Sequence, residues 1–161
     1  MEDIGQLDKA SADYDRVTRL NPRDANDYMF RGFAHFAKGN YKVAAADFEK
    51  AAQLSPRDYD ALLSLAGFQA TCPEDSLRNG KEALEKSLRA CELSRWQSAD
   101  AVDTLAAAYA EIGDFDRAVK YQTQAINTKG VYALNRKKMQ ERLELYRQHK
   151  PYRKESKLKA Q

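Results

Sequence analysis

The sequence predicts an all-α fold, an α-solenoid of about eight helices that stack in antiparallel pairs. Three observations predict it. One set of small, aromatic and turn-forming residues recurs at a fixed distance along the chain. Within each recurrence, apolar residues fall at helical spacing in two segments that Gly or Pro separates. The composition, 43% hydrophobic and 32% charged with only seven Gly and four Pro in 161 residues, is typical of a folded helical protein.

The recurrence has a period of 34 residues, the distance from Gly5 to Gly39. Seven residues recur at this distance: Gly5, Ala10, Tyr14, Leu20, Pro22, Arg23 and Asp24 return as Gly39, Ala44, Phe48, Leu54, Pro56, Arg57 and Asp58. A period of about 20 to 50 residues indicates a repeat architecture, in which each unit buries its apolar face against the next. The chain is therefore interpreted as one array of units.

The first complete unit spans residues 25–58 and contains two predicted helices. Apolar residues at helical spacing mark the two halves: Tyr28, Phe33, Ala34 and Phe36, then Val43, Ala44, Ala51 and Leu54. Gly39 ends the first helix because glycine tolerates the left-handed conformation of a helix cap. Pro56 ends the second, because proline cannot continue a helix. The unit is thus an antiparallel helix pair.

This unit resembles the tetratricopeptide repeat, whose period is about 34 residues. The resemblance rests on an aromatic residue, a packing glycine, a turn and small residues at set positions: Tyr28, Gly32, Gly39-Asn40-Tyr41, Ala44, Phe48, Ala51 and Pro56. His35 departs from the pattern, because the family usually has Tyr there. The resemblance covers about residues 5 to 128 and implies a right-handed superhelix of helix pairs.

Two further units follow at residues 59–96 and 99–130. Small residues keep the register of the second helices, with Ala83 and Ala90 in one unit and Ala118 and Ala125 in the other. The first of these units is longer, because TCPEDSLRNG lengthens the turn between its helices. Solenoids commonly accept loops there, so we expect a protruding turn in an unbroken stack.

The two ends of the chain depart from the repeat. Residues 1–22 match only the second half of a unit and predict an orphan helix, which suggests a fragment of a larger bacterial repeat protein. Residues 131–149 predict an amphipathic helix that caps the array, completing a single domain over residues 1–149. Residues 150–161 begin with a proline at the second position and are mostly charged, so we expect a basic, disordered tail.

The two cysteines and the absence of long apolar runs limit the class of protein. Cys72 and Cys91 are too few for a disulfide framework and match no zinc motif, so we expect two buried thiols. No run approaches the roughly 20 apolar residues of a membrane span, and the first residues do not resemble a signal peptide. These features predict a cytoplasmic protein without a membrane span.

Catalytic patterns are missing from the sequence. It contains no glycine-rich phosphate loop, zinc-protease motif or calcium-binding loop. The two histidines, His35 and His149, have no accompanying nucleophile or metal-ligand set. We therefore predict a chain that is not an enzyme and uses no cofactor, metal or small-molecule substrate.

The resemblance implies a scaffold whose first helices line a concave groove that holds a peptide or helix of a partner protein. Twelve residues map to this groove: Asn26, Met29, Phe30, Phe33, Phe36, Leu63, Gly67, Ala70, Asp100, Asp103, Ala107 and Ala110. They lack the Lys and Asn with which family members clamp a carboxyl terminus. One end is aromatic and the other acidic, so we expect an apolar, partly basic partner. Alternatively, some of the phenylalanines only contact the preceding helix pair of the larger protein, which the fragment has lost.

Two other functions stay open from the sequence. Ten cations near the end of the chain could bind nucleic acid or an anionic surface: Arg136, Lys137, Lys138, Arg142, Arg147, Lys150, Arg153, Lys154, Lys157 and Lys159. However, no RNA-binding signature accompanies them. The domain could instead be a self-associating structural spacer, because the orphan helix at residues 5–20 exposes a face that promotes homodimers.

Overall fold

The computed structural model describes residues 4–155, and this part of the chain contains α-helices, one short 3-10 helix and no strand. The α-helices are α1 (Ile4–Leu20), α2 (Ala25–Ala37), α3 (Tyr41–Leu54), α4 (Tyr59–Thr71), α5 (Gly80–Leu93), α6 (Ala99–Glu111), α7 (Phe115–Asn127) and α8 (Ala133–Arg147). The 3-10 helix is Asp75–Leu77. The predicted all-α class with about eight helices is confirmed.

The helices pack as pairs that continue into one stack. α2 packs on α3, α4 on α5 and α6 on α7, and further contacts join α3 to α4, α4 to α6 and α5 to α6. The three pairs fall within residues 25–58, 59–96 and 99–130. α1 contacts α2 at one end, and α8 contacts α7 at the other.

Polar side chains begin the first helix of each pair. The Asp24 carboxylate accepts hydrogen bonds from the backbone N–H groups of Asn26 and Asp27, and Asp58 accepts one from Ala61. Ser98 does the same for the first turn of α6. Such caps each stabilise a helix by about 1 kcal/mol, because they satisfy N–H groups that have no partner within the helix.

Alanines at the second helices allow the pairs to approach closely. Six of them have an exposed fraction of 0%: Ala44, Ala51, Ala83, Ala90, Ala118 and Ala125. Within the first pair, Gly32 allows α2 and α3 to approach closely, because a Cβ built there would lie only 2.9 Å from the Phe48 ring. The close approach in turn brings aromatic rings together, and the Phe68 ring centroid lies 5.5 Å from that of Phe48 and 6.1 Å from that of Phe36. These rings join α2, α3 and α4.

The insertion between α4 and α5 folds back on the stack and does not protrude as expected. Leu77 packs against the apolar cluster of α2, α3 and α4. Arg78 donates hydrogen bonds to the carbonyls of Cys72 and Pro73 and forms an ion pair of 2.9 Å with Glu111 of α6. One apolar and one cationic side chain therefore hold this turn against its neighbours.

An arginine of α2 is one of the residues that join the orphan helix α1 to the array. The Arg31 guanidinium forms two hydrogen bonds with the Asp47 carboxylate of α3, at 2.9 and 2.5 Å. It also donates to Thr18 of α1 at 2.8 Å and pairs with Asp15 at 3.3 Å. The Asp47 side chain is only 2% exposed, so its charge depends on this one partner.

The cysteines and the end of the chain complete the described part. Cys72 and Cys91 are buried free thiols, and burial raises the pKa of Cys91 to about 12.

The expected disordered tail begins at Lys150, but the structure differs over residues 150–155, where the Lys154 N–H donates to the Thr71 carbonyl of α4 at 2.8 Å. The rest of the predicted tail, residues 156–161, and the first residues, 1–3, lie outside the described residues.

The close-packed alanines predict a large cost for added volume. Replacing Ala118 with Leu should lower the free energy of unfolding by about 1–3 kcal/mol, because its surroundings have no room for the extra carbons. Ala46→Leu is the matched control, because Ala46 is exposed on α3 and should change stability by no more than about 0.5 kcal/mol. Urea unfolding followed by circular dichroism measures both. Equal stability of the two variants would contradict the packing described.

The contacts of Arg31 predict that a second substitution, at Asp47, restores part of the stability that is lost when Arg31 is replaced. Arg31→Leu should cost about 2–4 kcal/mol, because it leaves the buried Asp47 carboxylate unpaired. Arg31→Leu/Asp47→Leu should lose less than the single variant, because the buried charge is gone. The same unfolding measurement applies, and a double variant less stable than Arg31→Leu would show that the network acts differently.

Candidate functional site: the concave groove

A groove of about 500 Å³ opens between α2, α4, α6 and α8. Seven of the twelve residues mapped from the sequence line it: Phe33, Phe36, Leu63, Gly67, Asp100, Asp103 and Ala107. The structure thus brings together residues from the first helix of each pair. It adds Thr71, Lys138, Arg142, Tyr152 and Lys154 to the lining, none of which was mapped to the groove.

The other five mapped residues lie elsewhere. Met29, Ala70 and Ala110 are 7%, 1% and 2% exposed and pack inside the stack. Asn26 is exposed and outside the groove lining. Phe30 stacks on Tyr14 of α1, with ring centroids 5.9 Å apart. Adjacent positions are about 100° apart on a helix, so an error of one position in the mapping moves a residue from the groove face into the stack.

The aromatic end of the groove is formed by Phe33 and Phe36 of α2. Phe33 is 40% exposed, and its ring edge packs on Phe48 with a centroid distance of 5.0 Å. The Lys154 ammonium lies 6.0 Å from the Phe33 centroid and 5.3 Å from that of Phe36, which are cation–π distances. Burial lowers the pKa of this ammonium, although Lys154 as a whole residue is exposed. The aromatic end therefore already has a cation above it.

The acidic end is largely neutralised within the protein. The Asp103 carboxylate accepts two hydrogen bonds from Arg142 of α8, at 3.0 and 2.8 Å. It accepts a third from the Gln122 amide at 2.7 Å, and Gln122 also donates to the Met139 carbonyl. Burial raises the pKa of Asp103, while Arg142 and Gln122 oppose that rise. Asp103 thus holds α8 against α6, and Asp100 is the exposed carboxylate at this end.

The end of the described chain crosses the groove. The Arg142 guanidinium lies over the Tyr152 ring, 5.3 Å from its centroid, and Arg153 forms an ion pair of 2.6 Å with Glu111 of α6. Together with the Lys154 contacts, these interactions place residues 151–155, the tail segment, along the groove. The sequence contained no signal for this, because the contacts join positions far apart in the chain without any period.

Several of the cations near the end of the chain face inward. Arg142 pairs with Asp103 and Arg153 with Glu111, while Arg136 donates to the carbonyls of Ile126 and Val131. Lys157 and Lys159 of the predicted basic surface lie outside the described residues. The described cations are therefore partly engaged by the protein itself and do not form one open patch.

The residues considered for catalysis lie apart from the groove and from one another. His35 is 3.8 Å from the Asp15 carboxylate and 3.4 Å from the Asn40 amide, beside α1. His149 stacks on Phe115, with a centroid distance of 5.1 Å. Over residues 4–155 the structure shows no group of three or more His, Cys, Asp or Glu side chains that could hold a metal ion. No helix in this range is long and apolar enough to cross a membrane.

Comparisons with known proteins agree with this geometry. Family models described as tetratricopeptide repeat match residues 5–65 and 99–132. Two crystal structures of MamA are similar, each at 19% sequence identity, with TM-scores of 0.64 and 0.65. The alignments cover 90% and 92% of this chain and 81% and 93% of the MamA chains. The similarity to these structures shows a shared fold. A search of curated proteins finds no significant match. Two segments match the family models, and the structure has the stack of helix pairs that such repeats form. The chain therefore belongs to the tetratricopeptide repeat family.

Proposed function

We propose that the chain is a non-catalytic scaffold that binds a peptide or helix of a partner protein in the concave groove. Family membership supports a protein-interaction scaffold. The groove is proposed as the binding surface because α2, α4 and α6 together line one open space of about 500 Å³. That space has an exposed phenylalanine at one end and an exposed carboxylate near the other.

The floor of the groove supports a role in binding a main chain or helix. A Cβ built on Gly67 would meet only the Thr104 methyl, at 4.0 Å, so the backbone of α4 is approachable there. Ala107 on α6 adds another small side chain to the lining. Small residues beside exposed aromatic rings allow close approach and supply apolar anchors, a combination that peptide-binding grooves use.

The charges of the groove support a partly basic partner. Asp100 is exposed at the start of α6, and Glu111 at its end already pairs with two arginines. Because Asp103 is occupied by Arg142, we assign the attraction for basic groups to the exposed Asp100, and to Glu111 when Arg153 is displaced from it. The predicted cytoplasmic location is part of the same proposal.

The phenylalanines of α2 offer a matched pair of variants. Phe33→Glu places a carboxylate in the groove, whereas Phe30→Glu places one on the side of α2 that faces α1. Both rings are similarly exposed, at 40% and 46%. Proteins that bind in the groove should be captured from lysate by the wild type and by Phe30→Glu but lost with Phe33→Glu, as quantitative mass spectrometry would show. Equal capture by the two variants, both folded by circular dichroism, would contradict the proposal.

The homodimer predicted through α1 is a separate proposal. Val17 and Leu20 of α1 are 37% and 76% exposed, and a second copy could cover them. Sedimentation velocity over the micromolar range should then show an average mass that rises with concentration, and Leu20→Asp should reduce that rise. A monomer at all concentrations would remove this proposal and leave the groove unaffected.

A further inference from the structure

We propose that the groove recognises an extended segment in which an aromatic residue precedes two basic residues, and that the tail segment, residues 151–155, is its built-in competitor. This inference rests on the proposed groove function and names the class of partner. Its basis is that Tyr152 and Lys154 contact residues of the groove lining, while Arg153 between them pairs with Glu111, one helical turn after the lining residue Ala107.

The aromatic position is defined by Arg142. Its guanidinium is held in place by two hydrogen bonds to Asp103, so the face that it presents to the Tyr152 ring is fixed before any ligand arrives. A fixed guanidinium stacks on an aromatic ring with little loss of side-chain entropy. The position therefore favours a flat aromatic side chain.

The two basic positions are defined by α6 and α2. Glu111 receives the guanidinium of Arg153 at 2.6 Å, and its own side chain is 14% exposed. The next ammonium, that of Lys154, lies over the rings of Phe33 and Phe36. A carboxylate followed by two aromatic faces matches two consecutive cations, the first by charge and the second by cation–π attraction.

The segment in the groove has no regular secondary structure. Residues 151–155 belong to no helix, and Pro151 opens them with a backbone that cannot continue α8. The Lys154 N–H donates to the Thr71 carbonyl of α4, so the groove also recognises the main chain. A partner that bound as a helix could offer such an N–H only from its first turn, because its other N–H groups are already bonded within the helix.

The tail segment can be displaced from the groove because it makes few contacts there. It still competes with a partner because it is covalently attached to α8. It makes one backbone hydrogen bond, one ion pair to the array and the ring contacts described above, and Tyr152 packs on the apolar cluster of α5 to α8, while Lys154 and Glu155 stay exposed. Its attachment to α8 gives it a high effective concentration, typically millimolar for short linkers. A separate peptide with the same pattern must displace it, so its apparent affinity falls in proportion to the fraction of open groove.

Fluorescence anisotropy with the labelled peptide KPYRKESKLKAQ, the sequence of residues 150–161, tests this on the full-length chain. The release variant is Arg153→Ala/Lys154→Ala. It removes the ion pair and the cation–π contacts that hold the tail segment, and it leaves unchanged the residues of α2, α4, α6 and α8 that line the groove. Lys137→Ala/Lys150→Ala is the matched control, because it removes the same charge from exposed residues outside the groove lining. We expect the peptide Kd for the release variant to be at least about fivefold lower than for the control.

A second peptide, with Glu in place of the two basic residues that follow Tyr, tests the recognition itself. It should bind the release variant at least about tenfold more weakly than the first peptide, because Glu111 would repel it. Equal affinity of the release and control variants, equal affinity of the two peptides, or no binding of the first peptide by the release variant would each overturn the inference.

The peptide and capture experiments together distinguish a failure of this inference from a failure of the proposed function. If Phe33→Glu loses captured proteins while the first peptide fails to bind, the groove function stands and the aromatic-basic pattern is wrong. If capture is the same for Phe33→Glu and Phe30→Glu, and the first peptide also fails to bind, both the groove function and the inference fail.

Discussion

Close approach of neighbouring helices at alanine and glycine positions is the constraint on which the rest of this structure depends. Each helix pair has too little apolar surface to form a core alone, so it must bury one face against the next pair. Fully buried alanines such as Ala44, Ala83 and Ala118, one in the second helix of each pair, make that contact possible without voids. One face each of α2, α4 and α6 then contributes the residues that line the groove.

Three groups of ion pairs then join the two ends of the chain and the insertion to the helix stack. Arg31 joins α1 to α2 and α3, Asp103 and Arg142 join α6 to α8, and Glu111 joins α6 to both the insertion and the tail segment. In each case a partly buried carboxylate is compensated by an arginine from another element. The basic end of the chain is thereby drawn over the acidic helix of the third pair. This explains why a sequence with a cationic end does not present all of those cations to solvent.

Much of the fold could be predicted from the sequence because the repeat is encoded locally. Gly39 marks the turn and Pro56 the end of the pair, while alanines at a fixed period mark the contacts between helices, so each feature is visible within one unit. The all-α class, the helix count and the family follow from these residues. The same reasoning placed Phe33, Gly67 and Ala107 in the groove.

The features that could not be predicted depend on single contacts between distant positions. Arg142 finds Asp103, and Lys154 finds Thr71, without any recurrence that would mark them in the sequence. The fold-back of the insertion depends likewise on Leu77 and Arg78 alone. Met29 and Phe30 were misplaced for another reason, since one step along a helix separates a groove position from a buried one.

Amide exchange of Lys154 tests most directly whether the groove is a binding surface that the chain's own tail segment occupies. In the full-length chain, NMR should find the Lys154 N–H exchanging at least about tenfold more slowly than in the free peptide KPYRKESKLKAQ, because the Thr71 carbonyl accepts its hydrogen bond. Adding that peptide in excess should remove the protection. Exchange at the free-peptide rate in the absence of any added peptide would contradict an occupied groove.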